Sequence, residues 1–227
     1  MATTTSTTLP IDGPSADRAR LLAVLAEKSF QLGDFRLSSG GRSDYYLDCR
    51  RTTLDGEGGW LTGRLILASL RDSGELRPGG AAIEAVGGLT LGADPIVTAV
   101  AVVSAAERAG RPLSAFIVRK SEKAHGTGQK IEGLVRAGMN VAILDDVCTT
   151  AASTIQALEA AWAADLVVRR VMCLVEREEA GGRANLDAVW KQRFAAENRC
   201  PFTALFTAAE VRAEYLRRGE AGARGGR

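Results

Sequence analysis

Residues 141–154 read Val-Ala-Ile-Leu-Asp-Asp-Val-Cys-Thr-Thr-Ala-Ala-Ser-Thr: an apolar run, two carboxylates, a hydroxyl-rich turn, then the opening of an alanine-rich segment (151–164). A short apolar run bounded by turn residues predicts a strand covered on both faces, as in a parallel sheet. The segment after it predicts a helix. Open α/β sheets bind ligands outside the carboxyl ends of their strands, which is where Asp145 and Asp146 fall. Thr149, Thr150 and Ser153 then place hydroxyls beside helix amides suited to a phosphate. Two readings follow. One is a polyol-phosphate site, with carboxylates for sugar hydroxyls and amides and hydroxyls for phosphate. The other is plain helix capping by the same side chains.

Composition narrows the partners. A length of 227 residues suits one domain with a substantial core. The 29 basic and 27 acidic residues leave a formal charge of only +2, so nucleic acid is not an expected partner and any anion site must be a local cluster. Cys49, Cys148, Cys173 and Cys200 are widely spaced, which argues against a disulfide framework or a zinc site. Cys148 and Cys173 read as small core residues. A Cys148 nucleophile served by the single histidine, His125, is the weaker alternative, because nothing in the sequence brings them together. No apolar segment reaches the roughly 20 residues that span a bilayer, so no membrane partner is expected. The N-terminus carries no signal pattern, and the expected location is cytoplasmic.

Taken in order, residues 1–15 form a polar, Thr-rich stretch expected to be a disordered tail. Helical spacing of Leu21, Leu22, Leu25 and Ala26 predicts a packing helix over 17–30. Residues 35–50 place a Ser-Ser-Gly-Gly turn between two β-leaning runs, as in a hairpin. A second amphipathic helix is expected over 58–70. A short strand over 81–86 then runs into a glycine-rich loop (87–95) and a helix over 96–108. Glycine backbone can approach a diphosphate closely, and the absence of a following lysine excludes a nucleoside-triphosphatase loop. A strand over 114–118 feeds Arg119, Lys120, Lys123 and His125 before Gly126 and Gly128. That cluster reads either as an anion clamp or as a solvated charge run. A strand over 166–175 ends in Glu176-Arg177-Glu178-Glu179, with Arg177 a guanidinium fork suited to a carboxylate or to a surface ion pair. A last strand (202–206), a last helix (207–218) and a loose tail (219–227) complete the chain, with no internal repeat and no interdomain linker. The expected architecture is α/β: a mostly parallel twisted sheet flanked by helices, in one domain over 16–218, with a small hood at about 16–55 and the core at about 56–218.

Four ordered motifs across residues 35–182 resemble the orotate phosphoribosyltransferases, a branch of the type I phosphoribosyltransferases. They are Phe-x-Leu-x-Ser-Gly-x-x-Ser-x-x-Tyr-x-Asp-x-Arg from Phe35 to Arg50, Arg-Lys-x-x-Lys-x-His-Gly from Arg119, Asp-Asp-Val-x-Thr-Thr from Asp145, and the acidic-Arg pair at Glu176-Arg177. The resemblance implies transfer of ribose 5-phosphate from phosphoribosyl diphosphate to orotate, with Mg²⁺ held mainly by the diphosphate and ribose hydroxyls and with no metal-ligating residue set of the protein's own. It implies that Arg119, Lys120, Lys123 and His125 meet the diphosphate. Asp145 and Asp146 would meet the ribose, and Thr149, Thr150, Ala151, Ala152 and Ser153 the 5′-phosphate. Arg177 would bind the orotate carboxylate, with Tyr46 a further substrate contact. Lys123, Asp145 and Asp146 carry the catalytic role in this reading. It also implies a homodimer whose basic loop closes over the neighbouring subunit's site. The chain departs from the family pattern at Ser38, where many relatives carry lysine, near Thr90 and Leu91, where some do, and at Ala151 and Ala152, where glycines are usual. Two alternatives stand beside this reading: a transferase for another base, which the hood motif and Arg177 argue against, and a non-catalytic protein that senses phosphoribosyl diphosphate, which Ser38 and Leu91 keep open.

Overall fold

The computed structural model describes residues 14–36, 42–79, 81–107, 110–121, 130–179, 181–194 and 199–225. In chain order the elements are α1 (Pro14–Lys28), β1 (Phe30–Arg36), β2 (Arg42–Leu47), α2 (Arg50–Thr53), α3 (Gly56–Asp72), β3 (Ala85–Leu89), α4 (Asp94–Glu107), β4 (Ser114–Val118), β5 (Ile131–Gly133), β6 (Asn140–Cys148), α5 (Ala152–Ala163), β7 (Val167–Glu176), α6 (Gly182–Phe194), β8 (Phe202–Thr207) and α7 (Ala208–Gly225). The main sheet has the order β5-β4-β3-β6-β7-β8, parallel throughout except for the antiparallel edge strand β5. No helix among the described residues is long and apolar enough to cross a membrane.

The apolar run of β6 works as its composition requires. Its alternating side chains divide between two cores: Ala142 and Leu144 join the cluster under α1, α3, α4 and α7, while Val141 and Ile143 join the cluster under α5 and α6. Both sheet faces are therefore covered. After β3 the chain turns to β4 on one side, and β6 then lies on the other side of β3. The reversal opens a crevice between the carboxyl ends of β3 and β6, the preferred ligand position in such sheets.

β3 departs from expectation in an informative way. It covers Ala85–Leu89, so Gly87 and Gly88 lie inside the strand and not in the loop. A Cβ at Gly87 would collide with the Phe116 ring, and one at Gly88 with the Leu144 carbonyl oxygen and with Ala93. These glycines serve close packing. Three elements went unread in the sequence: the short strand β5, the single turn α2 and the helix α6. At the ends, α1 begins at Pro14 and α7 continues to Gly225, through residues where tails were expected.

The hood is a two-stranded antiparallel hairpin, β1 with β2, whose register breaks between Leu32 and Phe35. Its expected Ser-Ser-Gly-Gly turn (38–41) lies outside the described residues. Phe30 of β1 is buried and stacks on Tyr45 of β2 with ring centroids 5.2 Å apart. The link to the core continues through the buried hydroxyl contact of Ser29 with Thr52 at 2.7 Å. Asp55 then caps α3 by accepting from the Gly58 amide at 3.0 Å.

Candidate active site

Strand β6 delivers Asp145 and Asp146 to the crevice, and their surroundings separate their roles. Asp145 is buried, its Oδ2 accepting from the Thr154 hydroxyl at 2.7 Å and its Oδ1 from the Asp146 amide at 3.0 Å. Burial, with the neighbouring Asp146 charge second, pushes the Asp145 carboxyl up to about 7. Burial also raises Asp146, whose Oδ1 accepts from the Val147 amide at 2.9 Å and which lines the cleft. Two adjacent carboxylates are held together here, and a polyhydroxyl or cationic ligand would stabilise their charged forms.

The turn that follows is strained where it meets the helix. Ala151 takes a left-handed conformation, φ 64°, and is the N-cap of α5. An alanine has no side-chain oxygen to satisfy the first amides of α5, and no side-chain cap bond forms. The start of α5 is thus an amide-rich, positively polarised end, with Thr149 and Ser153 lining the cleft beside it. The capping reading of the motif survives only in part: Thr150 Oγ1 accepts from the Ala152 amide at the long distance of 3.4 Å, and the N-cap residue itself contributes no bond. Thr150 does not line the cleft; its hydroxyl is turned to the Ala152 amide, and its carbonyl accepts from Asn185 Nδ2 at 3.0 Å. Ala151 is buried and Ala152 begins the helix, so both contribute backbone only.

The cleft has a volume of about 310 Å³ and is closed by the hood and by the loop after β3. Tyr46, Leu47, Asp48 and Arg50 form the hood wall, with Arg50 gripping Asp48 through bonds of 2.8 and 2.9 Å. That grip holds the Asp48 carboxyl below its ordinary range. From β3 come Thr90, Leu91 and Gly92. The Thr90 hydroxyl and the Leu91 amide both donate to Asp94 Oδ2, at 3.0 and 3.1 Å, so the Leu91 amide is already engaged within the loop. Leu91 adopts φ 78°. Gly92 lies against the acidic pair, since a Cβ there would come within 2.7 Å of Asp146 Oδ1.

Arg177 follows the last residue of β7, and its amide donates to the Cys148 carbonyl at 2.9 Å, which seats it beside the Thr149 turn. It lines the same cleft as Asp146, Lys120 and Tyr46. The structure does not bring Arg119 there. Arg119 pairs with Glu132 at 3.1 Å, across the β4–β5 hairpin. Lys123 and His125 lie outside the described residues. The four cysteines are free and buried, in keeping with the core reading of Cys148 and Cys173. The Asp48–Arg50 pair carries no role in the sequence reading; Thr154, read as part of the 5′-phosphate turn, instead bonds Asp145, and Gly92, read as part of the diphosphate loop, packs on the acidic pair. Asp48 and Arg50 stood within the hood motif, but only the folded cleft sets them opposite Asp146.

A larger cavity of about 590 Å³ sits at the amino ends of β3 and β6, near Glu84 and Asn140. Volume alone does not select the site; the convergence of charged groups does.

Crevice, acidic pair and amide-rich helix start define the class of the molecule: a type I phosphoribosyltransferase. No protein-family model matches the chain. It is 42% identical over 199 residues to the orotate phosphoribosyltransferase of Synechocystis sp., covering 87% of this chain and 90% of the relative. To the orotate phosphoribosyltransferase of Thermosynechococcus vestitus it is 40% identical over 202 residues, covering 88% and 95%. Among solved structures, Mycobacterium tuberculosis orotate phosphoribosyltransferase in complex with 5-phospho-α-D-ribosyl 1-diphosphate superposes with a TM-score of 0.64 at 30% identity, covering 86% of this chain and 98% of that one. The chain belongs to the orotate phosphoribosyltransferase family and is accordingly a pentosyltransferase.

Proposed function

We propose that this cleft moves ribose 5-phosphate from 5-phosphoribosyl 1-diphosphate to a ring nitrogen of orotate, giving orotidine 5′-phosphate and diphosphate in the de novo route to UMP. The observation that carries the reading is the span of one cleft: Asp146, Thr149 and Ser153 line one part of it and Arg177 another, with Lys120 on its wall. The sugar donor seen bound to the Mycobacterium tuberculosis relative supports the same donor here.

The C1–O bond of the donor breaks as the base nitrogen bonds to C1, leaving positive charge on the sugar and negative charge on the diphosphate. Asp145 and Asp146 take the ribose hydroxyls, Asp146 from the cleft wall and Asp145 from beneath. The amides opening α5, with Thr149 and Ser153, take the 5′-phosphate. Lys120 and the basic loop, with Lys123 as its central cation and Arg119 and His125 beside it, meet the leaving diphosphate. By analogy with a single oxyanion-hole donor, a donor aimed at developing charge is worth about 2.7–4 kcal/mol of barrier. Arg177 takes the carboxylate of orotate, and Tyr46 borders the base.

Mg²⁺ fits this site as a substrate-borne ion. Among the described residues no group of three or more histidine, cysteine or acidic side chains converges to hold a metal. The cleft does offer hard carboxylate oxygen, chiefly on Asp146, to an ion whose other ligands are substrate oxygens. When bound it neutralises the departing diphosphate. The protein acts as a homodimer in this reading.

Incubation with phosphoribosyl diphosphate, Mg²⁺ and a panel of bases, following diphosphate release, tests the proposal. Release only with orotate supports it. Release with another base identifies a different transferase, and none with any base leaves a sensor of the sugar diphosphate. Arg177→Ala should raise the KM for orotate more than that for the sugar donor, and Lys123→Ala should lower turnover far more than Tm. Equal effects on both substrates, or unchanged turnover, would remove the respective role.

A further inference from the structure

Arg177 is more tightly held than a ligand-binding arginine needs to be for contact alone. Its side chain is only 7% exposed. Nε donates to Glu179 Oε1, Nη2 donates to the Ser43 hydroxyl at 3.2 Å, and the guanidinium lies 4.5 Å from the centroid of the Tyr45 ring. The Tyr45 hydroxyl donates to the same Glu179 Oε1 at 2.9 Å. Nη1 takes part in neither of the two Arg177 bonds, and the residue lines the cleft. Glu178, at φ 56°, is a left-handed non-glycine residue between the arginine and its acceptor. Such a conformation persists only where its surroundings enforce it.

We infer that Glu179 and Tyr45 are positioning residues for base recognition: they grip one edge of the Arg177 guanidinium so that its remaining donors are presented to the carboxylate of the incoming base. The inference rests on the reading of Arg177 given above. Arginine carries about 2 kcal/mol of rotamer entropy, and fixing the fork beforehand removes part of that loss from binding. The grip is itself anchored, because Tyr45 stacks on the buried Phe30 at the base of the hood. Burial pushes the Tyr45 hydroxyl up to about 12, so it remains a donor at neutral pH. The negative charge of Glu179 opposes an anionic base, so what the site uses is the acceptor oxygen and not the charge. That distinction makes the role separable from a simple ion pair.

The test compares Glu179→Ala, Glu179→Gln, Tyr45→Phe and Arg177→Ala in the full chain by steady-state kinetics, with Tm measured for each. Glu179→Ala should raise the KM for orotate by about tenfold or more, the scale of a lost hydrogen bond to a charged group. Its kcat and its KM for phosphoribosyl diphosphate should change by less than about threefold, within the scatter of a surface substitution. Glu179→Gln keeps the acceptor and should restore orotate binding. Tyr45→Phe keeps the ring and should show an intermediate loss. If Glu179→Ala does not fold, the glutamine and phenylalanine variants carry the comparison. An unchanged KM for orotate in Glu179→Ala or Tyr45→Phe overturns the inference, as does a lowered KM in both Glu179 variants, which would make Glu179 a competitor for Arg177. Failure of Arg177→Ala to raise that KM instead overturns the base-binding reading itself, so the two failures are distinguishable.

Discussion

The Thr154 hydroxyl donates to Asp145 Oδ2 at 2.7 Å, tying the first turn of α5 to a carboxyl group buried at the end of β6. The bond favours the charged form of Asp145, yet burial and the Asp146 charge outweigh it and leave the carboxyl at about 7. Four consequences of this arrangement and of the glycines of β3 and its loop packed against β6 can be measured.

The raised Asp145 carboxyl fixes a sign for pH dependence. Between the ordinary value of 3.8 and about 7, the folded protein holds a proton that the unfolded chain has released. The neutral form's stability is therefore complete below about pH 4 and is lost as pH rises toward 7. Asp145→Asn, permanently neutral, should be the more stable protein at pH 8 by on the order of 1–3 kcal/mol and lose that advantage at pH 4. Denaturant midpoints at both pH values check this; an advantage that grows toward low pH refutes it. Its activity should fall sharply at every pH.

Ala151 carries a strain that glycine would avoid. Relief of a left-handed alanine is worth about 1–2 kcal/mol, against roughly 0.8 kcal/mol for a lost buried methyl and about 0.5–1 kcal/mol of added chain entropy. These oppose one another, so Ala151→Gly should leave stability within about 1 kcal/mol of wild type. Ala151→Val, β-branched at φ 64°, should destabilise by more than about 2 kcal/mol. Tm values that rank the two variants equally would show that the turn is not strained.

Gly92 is expected to be a functional glycine. A methyl there would meet Asp146 Oδ1 at 2.7 Å and Asp145 Oδ1 at 3.3 Å, displacing the carboxylate that faces the cleft. Gly92→Ala should reduce kcat/KM for the sugar donor on the order of 10–100-fold, the scale of a misplaced catalytic group. Tm should move by less than about 4 °C. A variant with full activity would detach Gly92 from the site.

Gly88 is the opposite case. Its Cβ would strike the Leu144 carbonyl oxygen, a backbone atom of the neighbouring strand that cannot swing aside. Gly88→Ala should therefore lose at least about 3 kcal/mol, lowering Tm by roughly 6–12 °C or preventing folding. Thermal unfolding decides it, and a Tm within about 2 °C of wild type would mean that the two strands separate more easily than their packing implies.

Much of the site could be read along the chain. Residues 141–154 encode strand, acidic pair, turn and helix because each step is local: side-chain alternation buries the strand, and the next residues leave the sheet at its carboxyl end. The basic stretch and Arg177 were recognisable by charge and order. Their placement was not. Arg119 and Lys120 are adjacent in sequence, but only Lys120 lines the cleft, while Arg119 crosses to Glu132 on β5, a strand too short to announce itself. Gly87 and Gly88 resemble a phosphate loop in sequence, and only the proximity of Phe116 and Leu144 reveals them as packing positions.

By itself, then, the sequence determined the parallel sheet, the acidic pair at its switch point and the kinds of group available to a sugar phosphate and an anion. Those follow from hydrophobic period and side-chain chemistry, which act over a few residues. The tertiary structure alone decided that Ala151 is forced into a left-handed turn and that Arg177 is clamped between Glu179 and the hood. Ser43 and Arg177 stand 134 positions apart, and their contact exists only because β2 folds back over the end of β7. The angle at which an arginine meets its ligand is a property of such long-range packing, in which burial and shared hydrogen bonds fix what a flexible side chain leaves open.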